Sequence, residues 1–278
     1  MFNFEIPLAT QTINYDAIKD KQRNTWGSGD YSRVGVTLQI TGEQLCESMD
    51  INAGQTVLDV AAGNGNVSLA AARRFANVVS TDYVESLLEQ SQQRAIAEGL
   101  SLHYQVADAE SLPFENASFD HVVSTFGVMF APNQAQSAAE LLRVCRAGGK
   151  IGLVNWTPQS FIGQLFKLIG RFVPPPVGVK SPALWGTKEF IDTHFGKDAA
   201  EITYRTREFN FRYHSPQHWV DVFREFYGPV HKAFGTLDVQ TAAQLEEEIL
   251  NLISQFNRNQ SGTAVIPSEY LEVVINKA

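Results

Sequence analysis

Asp59, Asp82 and Asp108 each close a short apolar run, and the first of these runs is followed at once by Ala61-Ala62-Gly63-Asn64-Gly65 and an alanine-rich helical pattern. A carboxylate at a strand end attracts cations and accepts hydrogen bonds from hydroxyl groups. Two glycines one residue apart remove Cβ atoms where a ligand must lie against the backbone, and the helix N-terminus beyond them offers free N–H groups. Two ligand classes use such a turn. A dinucleotide site asks for a third glycine three residues after the second and seats a pyrophosphate on the helix. Ser68 stands at that position, and Asp59 would repel a pyrophosphate while attracting the ammonium group of an amino-acid ligand. Asp82, 23 positions beyond Asp59, suits ribose hydroxyls. One strand-end acid often does no more than cap the next helix. Three in successive units point to a shared site.

Such acids converge only if parallel strands position them. Val57–Val60, Asn77–Asp82, Leu102–Ala107, Ser118–Ser124 and Lys150–Trp156 read as strands. Helical patterns follow the first, second and fourth, with Glu85–Gly99 and Ala131–Arg146 the clearest. Strands alternating with helices predict right-handed crossovers and a parallel sheet covered on both faces. Ligands then bind at the carboxyl ends of the strands, where Asp59, Asp82, Asp108 and Ser124-Thr125 would meet.

These residues resemble the class I S-adenosylmethionine-dependent methyltransferases, of the small-molecule type allied to the ubiquinone and menaquinone methyltransferases. The resemblance rests on Val57–Gly65, Thr81-Asp82, Val106–Phe114, Ser118-Phe119-Asp120, Glu140–Val144 and Gly148-Gly149-Lys150, and covers residues 51–156. It implies an α/β fold: a doubly wound, seven-stranded Rossmann-like sheet with an antiparallel last hairpin. It implies S-adenosylmethionine as cofactor, with no metal site. By the same analogy Asp59 and the backbone of Ala61, Gly63, Asn64 and Gly65 hold the methionine part, and Asp82 takes the ribose hydroxyls. Tyr83 lies against adenine, Asp108, Ala109 and Glu110 address the adenine edge, and the Thr125 region meets the amino group. The family usually has glycine where Ala61 stands, and alanine there is expected to keep φ below zero.

The flanks divide the chain into a helical N-terminal lid (1–50), the core (51–156), a cap insertion (157–200) and a C-terminal completion of the sheet (201–278), one domain overall. Asn14–Trp26 reads as a polar helix, Gly27–Ser32 breaks it, and a second helix runs from about Val34 to Met49. Tyr31, beside Trp26, could turn an aromatic face towards a cationic cofactor. In the cap, Ser160–Ile169 and Thr187–Phe195 read as helices around the stiff Pro174-Pro175-Pro176. Glu201–Tyr213 and Tyr270–Ile275 are the two strands of the expected hairpin, with helices inserted between them from Ser215 to a stop at Gly228-Pro229 and over Leu237–Asn257. Residues 157–232 hold 14 of the 30 aromatics and a local charge of +3 in a chain of net charge −8, so this stretch serves as a small core, an acceptor pocket, or both. His214 and His218, beside the turn after the long strand, are the candidate general bases.

The acidic balance argues against a nucleic-acid or anionic-membrane surface. No window approaches the roughly 20 apolar residues of a membrane span, and Met1–Thr10 carries no Lys or Arg, so neither stable membrane insertion nor a signal peptide is expected and a cytoplasmic location is. Cys46 and Cys145 are expected to be two buried thiols. Ser124-Thr125-Phe126-Gly127 is unlike the motif of amino-group nucleic-acid methyltransferases, and neither cysteine follows a proline as a cytosine-carbon nucleophile would. The expected activity is methyl transfer to a small, apolar or aromatic acceptor. A cofactor-binding protein without transfer activity and, further off, an NAD(P)-dependent oxidoreductase are the alternatives. The oligomeric state is not legible.

Overall fold

The computed structural model describes residues 13–278, so the reading of Met1–Thr10 lies outside the described residues. An N-terminal arm comprises α1 (Tyr15–Trp26), α2 (Ser32–Gly35) and α3 (Gln39–Met49), with a 3-10 turn at Val36–Leu38 between the last two. Asn14 caps α1 by accepting the Ala17 N–H. The helix expected over 34–49 is thus broken near Gly35. There the backbone lies against the glycine turn, and the Asn66 side-chain amide donates to the Gly35 carbonyl at 2.7 Å.

The core follows as β1 (Thr56–Val60), α4 (Asn66–Ala72), β2 (Asn77–Asp82), α5 (Glu85–Ala97), β3 (His103–Val106), β4 (Phe119–Thr125), α6 (Gln134–Val144) and β5 (Cys145–Trp156). Beyond it come α7 (Phe161–Phe172), α8 (Lys188–Phe195), β6 (Ala199–Tyr213), α9 (Pro216–Phe226), α10 (Gly228–Thr236), α11 (Val239–Phe256) and β7 (Ala264–Lys277). All seven strands form one sheet in the order β3-β2-β1-β4-β5-β7-β6. The first five are parallel, and β7 runs antiparallel to both β5 and β6. The order reverses between β1 and β4, and in an open α/β sheet that reversal opens a crevice at the carboxyl ends of the strands.

The antiparallel pairing of the last two strands matches expectation, and three helices join them where two were expected. α10 was not expected, because Gly228-Pro229 reads as a stop. Proline has no N–H to lose in a first helical turn, so the same pair also starts a helix. β7 begins six residues earlier than Tyr270 and takes in Pro267. At Pro267 the strand has only β6 beside it, since the pairing with β5 starts at Tyr270, so one backbone edge there needs no N–H.

Cys46 and Cys145 are free and buried, with burial pushing their thiols up to about 12 and about 11. Among the described residues no helix is long and apolar enough to cross a membrane. The aromatics of the cap and C-terminal third divide between two tasks. Trp185, Phe190 and Phe195 pack together, with Phe190 and Phe195 ring centroids 4.7 and 6.2 Å from that of Trp185, and join the main core. Phe211, Phe223 and Tyr227 face a cavity that reaches the carboxyl ends of the parallel strands.

Candidate functional site

The glycine turn between β1 and α4 is a stack of left-handed residues. Ala61, Gly63 and Gly65 have φ of +53°, +56° and +83°. The expectation for Ala61 is therefore overturned. An L-residue in this region costs roughly 1–2 kcal/mol. Packing imposes it: the turn after β4 passes so close that a Cβ on Gly127 would lie 2.0 Å from the Ala61 carbonyl oxygen. Hydrogen bonds hold the rest of the turn. Ala62 N–H donates to the Thr81 carbonyl at 2.8 Å. The Arg94 guanidinium, from α5, donates to the Asn64 carbonyl at 2.6 Å and to the Asn66 side chain at 3.0 Å.

Asp59 and Asp82 take different places around this turn. Asp59 is wholly buried beneath it and forms no part of the cavity wall. Ser68 donates to its Oδ2 at 2.5 Å, so the residue that spoils the dinucleotide pattern is a partner of the acid. Its Oδ1 is buried with no partner among the described residues. Burial lifts the carboxyl to about 7 against the pull of the Ser68 bonds, and the Asp82 charge adds to the rise. Asp82 does line the cavity. Its Oδ2 accepts the Gly63 N–H at 2.9 Å and its Oδ1 the Val84 N–H at 2.9 Å. Burial raises it to about 6, and the backbone bonds from Val84, Gly63 and Tyr83 hold it below a higher value.

Asp108, Ala109 and Tyr83 stand on the same wall, next to a cation that the sequence reading missed. Lys19 Nζ lies 2.7 Å from Asp108 Oδ2 and 3.3 Å from Glu110 Oε2. Glu110 is buried behind this pair, off the wall, and its Oε1 accepts the Asn133 N–H at 2.6 Å. Asn64 and Gly65 also lie behind the wall, while Thr125 is on it.

The wall closes from two sides. The arm contributes Lys19, Gln22, Trp26, Tyr31, Val34 and Leu38. The Tyr31 ring covers the glycine turn so closely that a Cβ on Gly63 would come 3.3 Å from Tyr31 Cε1. Trp26 sits edge-on to Tyr31, Phe130 and Tyr227, with centroids 5.7, 4.8 and 5.5 Å away. Opposite the acids, Phe126 stacks on Trp156 at 4.0 Å, and Ile162, Phe211 and Phe223 complete an apolar end. The cavity encloses about 980 Å³ of empty space including its mouth. Burial pushes the Tyr31 hydroxyl up to about 12, and burial also raises Tyr227. Both remain protonated donors at neutral pH.

His214 and His218 do not reach this wall. Ser215 caps α9, which turns the two imidazoles towards each other at 4.8 Å in a separate surface depression bordered by Arg212 and Thr263. The sequence reading missed Lys19, Gln22, Phe126, Phe130 and Tyr227 because they reach the wall from three separate places: α1, the segment after β4, and the junction of α9 and α10. Lys19 alone left a signal, a lysine on one face of a helix with Gln22 and Trp26. Among the described residues no cluster of His, Cys, Asp and Glu could hold a metal ion.

The sequence and fold have known counterparts. Residues 58–153 match the model of a methyltransferase domain family. An uncharacterized protein of Mycobacterium tuberculosis is 39% identical over 254 residues, covering 89% of this chain and 92% of that one. The demethylmenaquinone methyltransferase of Deinococcus radiodurans is 35% identical over 126 residues, 44% of this chain and 52% of that one. The solved structure of the Bacillus subtilis YcgJ protein superposes with a TM-score of 0.57 at 19% identity, over 86% of this chain and 99% of that one, which establishes the fold. With the glycine turn, the three strand-end acids and the reversed sheet order on one scaffold, the chain belongs to the class I S-adenosylmethionine-dependent methyltransferases, and S-adenosylmethionine is its cofactor.

Proposed function

We propose that this chain transfers the methyl group of S-adenosylmethionine to a small apolar or aromatic molecule. One observation carries the reading: a single cavity has acids and a glycine turn at one end and a wall of aromatic rings at the other. The residues suit the cofactor. The left-handed turn at Ala61–Gly65 exposes backbone that would hold the methionine part, and the partnerless Asp59 Oδ1 beneath it is a buried acceptor on the side of the ammonium group. Asp82 would take the ribose hydroxyls and Tyr83 would lie on adenine. Asp108 and Ala109 would form the adenine edge with Glu110 buried behind them, Thr125 would meet the amino group, and the Tyr31 ring would face the sulfonium.

The bound sulfonium supplies a methyl group that is already activated. What the chain adds is alignment and a dry chamber, effects that together contribute about 7–11 kcal/mol to lowering such a barrier. Neither histidine candidate lies on the wall, so the acceptor atom has no imidazole beside it. That favours an acceptor whose nucleophilic atom needs no imidazole base.

Isothermal titration with S-adenosylmethionine, S-adenosylhomocysteine and NAD tests the cofactor half. Micromolar binding of the first two and none of the third is expected; the reverse would sink the reading. A screen of phenols, quinones, amines and fatty acids for labelled methyl transfer tests the acceptor half. Tight cofactor binding with no transfer to any of them would favour a cofactor-binding protein without transfer activity.

A further inference from the structure

We propose that Lys19 is the latch of a cofactor gate: its ion pairs with Asp108 and Glu110 must open for the nucleoside to enter, and they close again over it. The inference rests on the reading of the cavity as the S-adenosylmethionine site and goes beyond it by naming what sets the rate of exchange.

Three observations carry it. First, the N-terminal arm is the roof of the site. Six wall residues belong to it, and the Tyr31 ring lies on Gly63, in the turn the cofactor must reach. The way to that turn therefore widens when the arm moves.

Second, little apolar surface holds α1 down. Only Ile18 of its twelve residues is buried. An element with few buried apolar contacts opens at low cost. Its other tethers to the body are polar or aromatic: Gln22 Nε2 donates to the Phe130 carbonyl at 3.0 Å, Arg23 lies 5.5 Å over the Tyr83 ring, and Trp26 packs on Phe130 and Tyr227.

Third, Lys19 makes the ion pairs between α1 and the strand-end acids. Its side chain is 16% exposed, and it bridges Asp108 at 2.7 Å and Glu110 at 3.3 Å, with exposed Asp16 on its own helix at 3.4 Å. Glu110 in turn accepts the Asn133 N–H, which caps α6 after the β4 loop. One ammonium thus ties together the arm, the loop after β3 and the segment that carries Phe130. Removing it leaves two neighbouring carboxylates without their counter-charge and α1 without its strongest tether.

A latch of this kind alters rates more than affinity, because it is broken before binding and re-formed after it. Stopped-flow mixing of the full chain with S-adenosylhomocysteine, followed by tryptophan fluorescence, reads this through Trp26 and Trp156, both on the cavity wall. Lys19→Gln is expected to raise the association and dissociation rates together by about tenfold while the dissociation constant moves less than about threefold. Lys19→Arg should keep wild-type rates. Raising salt from about 0.05 to about 0.5 M should speed exchange in the wild type but not in Lys19→Gln. Glu110→Gln should give an intermediate acceleration, and together with the salt series it carries the test if Lys19→Gln fails to fold. Rates that ignore salt and both substitutions would overturn the latch. So would a faster dissociation with unchanged association, which marks a plain ligand contact. If wild-type protein does not bind S-adenosylhomocysteine at all, the cofactor assignment of the cavity fails, not the latch alone.

Discussion

Asp82 Oδ2 accepts the backbone N–H of Gly63 at 2.9 Å, so the acid at the end of β2 holds the glycine turn that follows β1. One side chain thereby shapes the cradle and presents a carboxylate to the cavity. Asp82→Ala is expected to lose roughly 100-fold in affinity for S-adenosylhomocysteine. It should also lose about 1–3 kcal/mol of stability, because the Gly63 and Val84 N–H groups are left without their acceptor. Titration calorimetry and urea unfolding measure the two separately. Unchanged affinity would mean that the ribose lies elsewhere.

The Ala61–Gly127 contact makes a second prediction. Ala61→Gly relieves a left-handed alanine and should stabilise the chain by roughly 1 kcal/mol. Gly127→Ala should cost about 1–3 kcal/mol, since its methyl would press on the Ala61 carbonyl oxygen. The double substitution should regain no more than the roughly 1 kcal/mol that Ala61→Gly contributes by itself, because the clash is with backbone that the glycine retains. Rescue in the double variant would show that the two methyl groups were the obstacle.

Stability should fall as pH rises through neutrality. Burial raises Asp59 to about 7 and Asp82 to about 6, from an ordinary value of 3.8. A carboxyl whose pKa rises on folding holds its proton more tightly in the native state. Its stabilising contribution is complete below about pH 3.8 and is lost as pH climbs through the folded values. His121 opposes this. Burial and the nearby Lys150 bring it down to about 4, so its contribution is present above about pH 6.5 and lost as pH falls towards 4. Comparing Asp59→Asn with wild type isolates the acid: urea unfolding from about pH 5 to 8 should show a shallower decline in the variant. Equal slopes would show that Asp59 is ionised throughout.

Replacing both His214 and His218 by alanine should leave S-adenosylhomocysteine affinity, and the rate with any acceptor found, within about twofold of wild type. Their depression is separate from the cavity, and His218 Nδ1 already accepts the His214 N–H at 3.2 Å. A large loss of rate with unchanged affinity would return one of them to the role of base.

How far the site could be read depends on how each part is built. The strand–turn–helix unit around Asp59 and Gly63 is contiguous in the chain, so apolar runs, glycines and acids announce it directly. Successive βα units repeat that grammar, which made the parallel sheet and the convergence of Asp82, Asp108 and Thr125 legible. The antiparallel last strands were also visible, apart from the early start of β7 at Ala264, because Pro267 disguises a strand that pairs on one edge only.

Sequence alone therefore determined the fold class, the cofactor family and the acids at the strand ends, all consequences of local pattern and short-range spacing. Tertiary structure decided what depends on packing between distant segments. Ala61 takes a left-handed conformation because the turn carrying Gly127 presses on it. Asp59 goes beneath the turn, not onto the wall, where Ser68, itself bonded to Ser80, holds it. His214 and His218 point away because Ser215 starts a helix there. Lys19, 89 positions from Asp108, meets it only because the arm folds back across the sheet's carboxyl edge. No periodicity records such a meeting, since the ion pair is made by two segments whose separation in the chain is free and whose proximity is set by the fold.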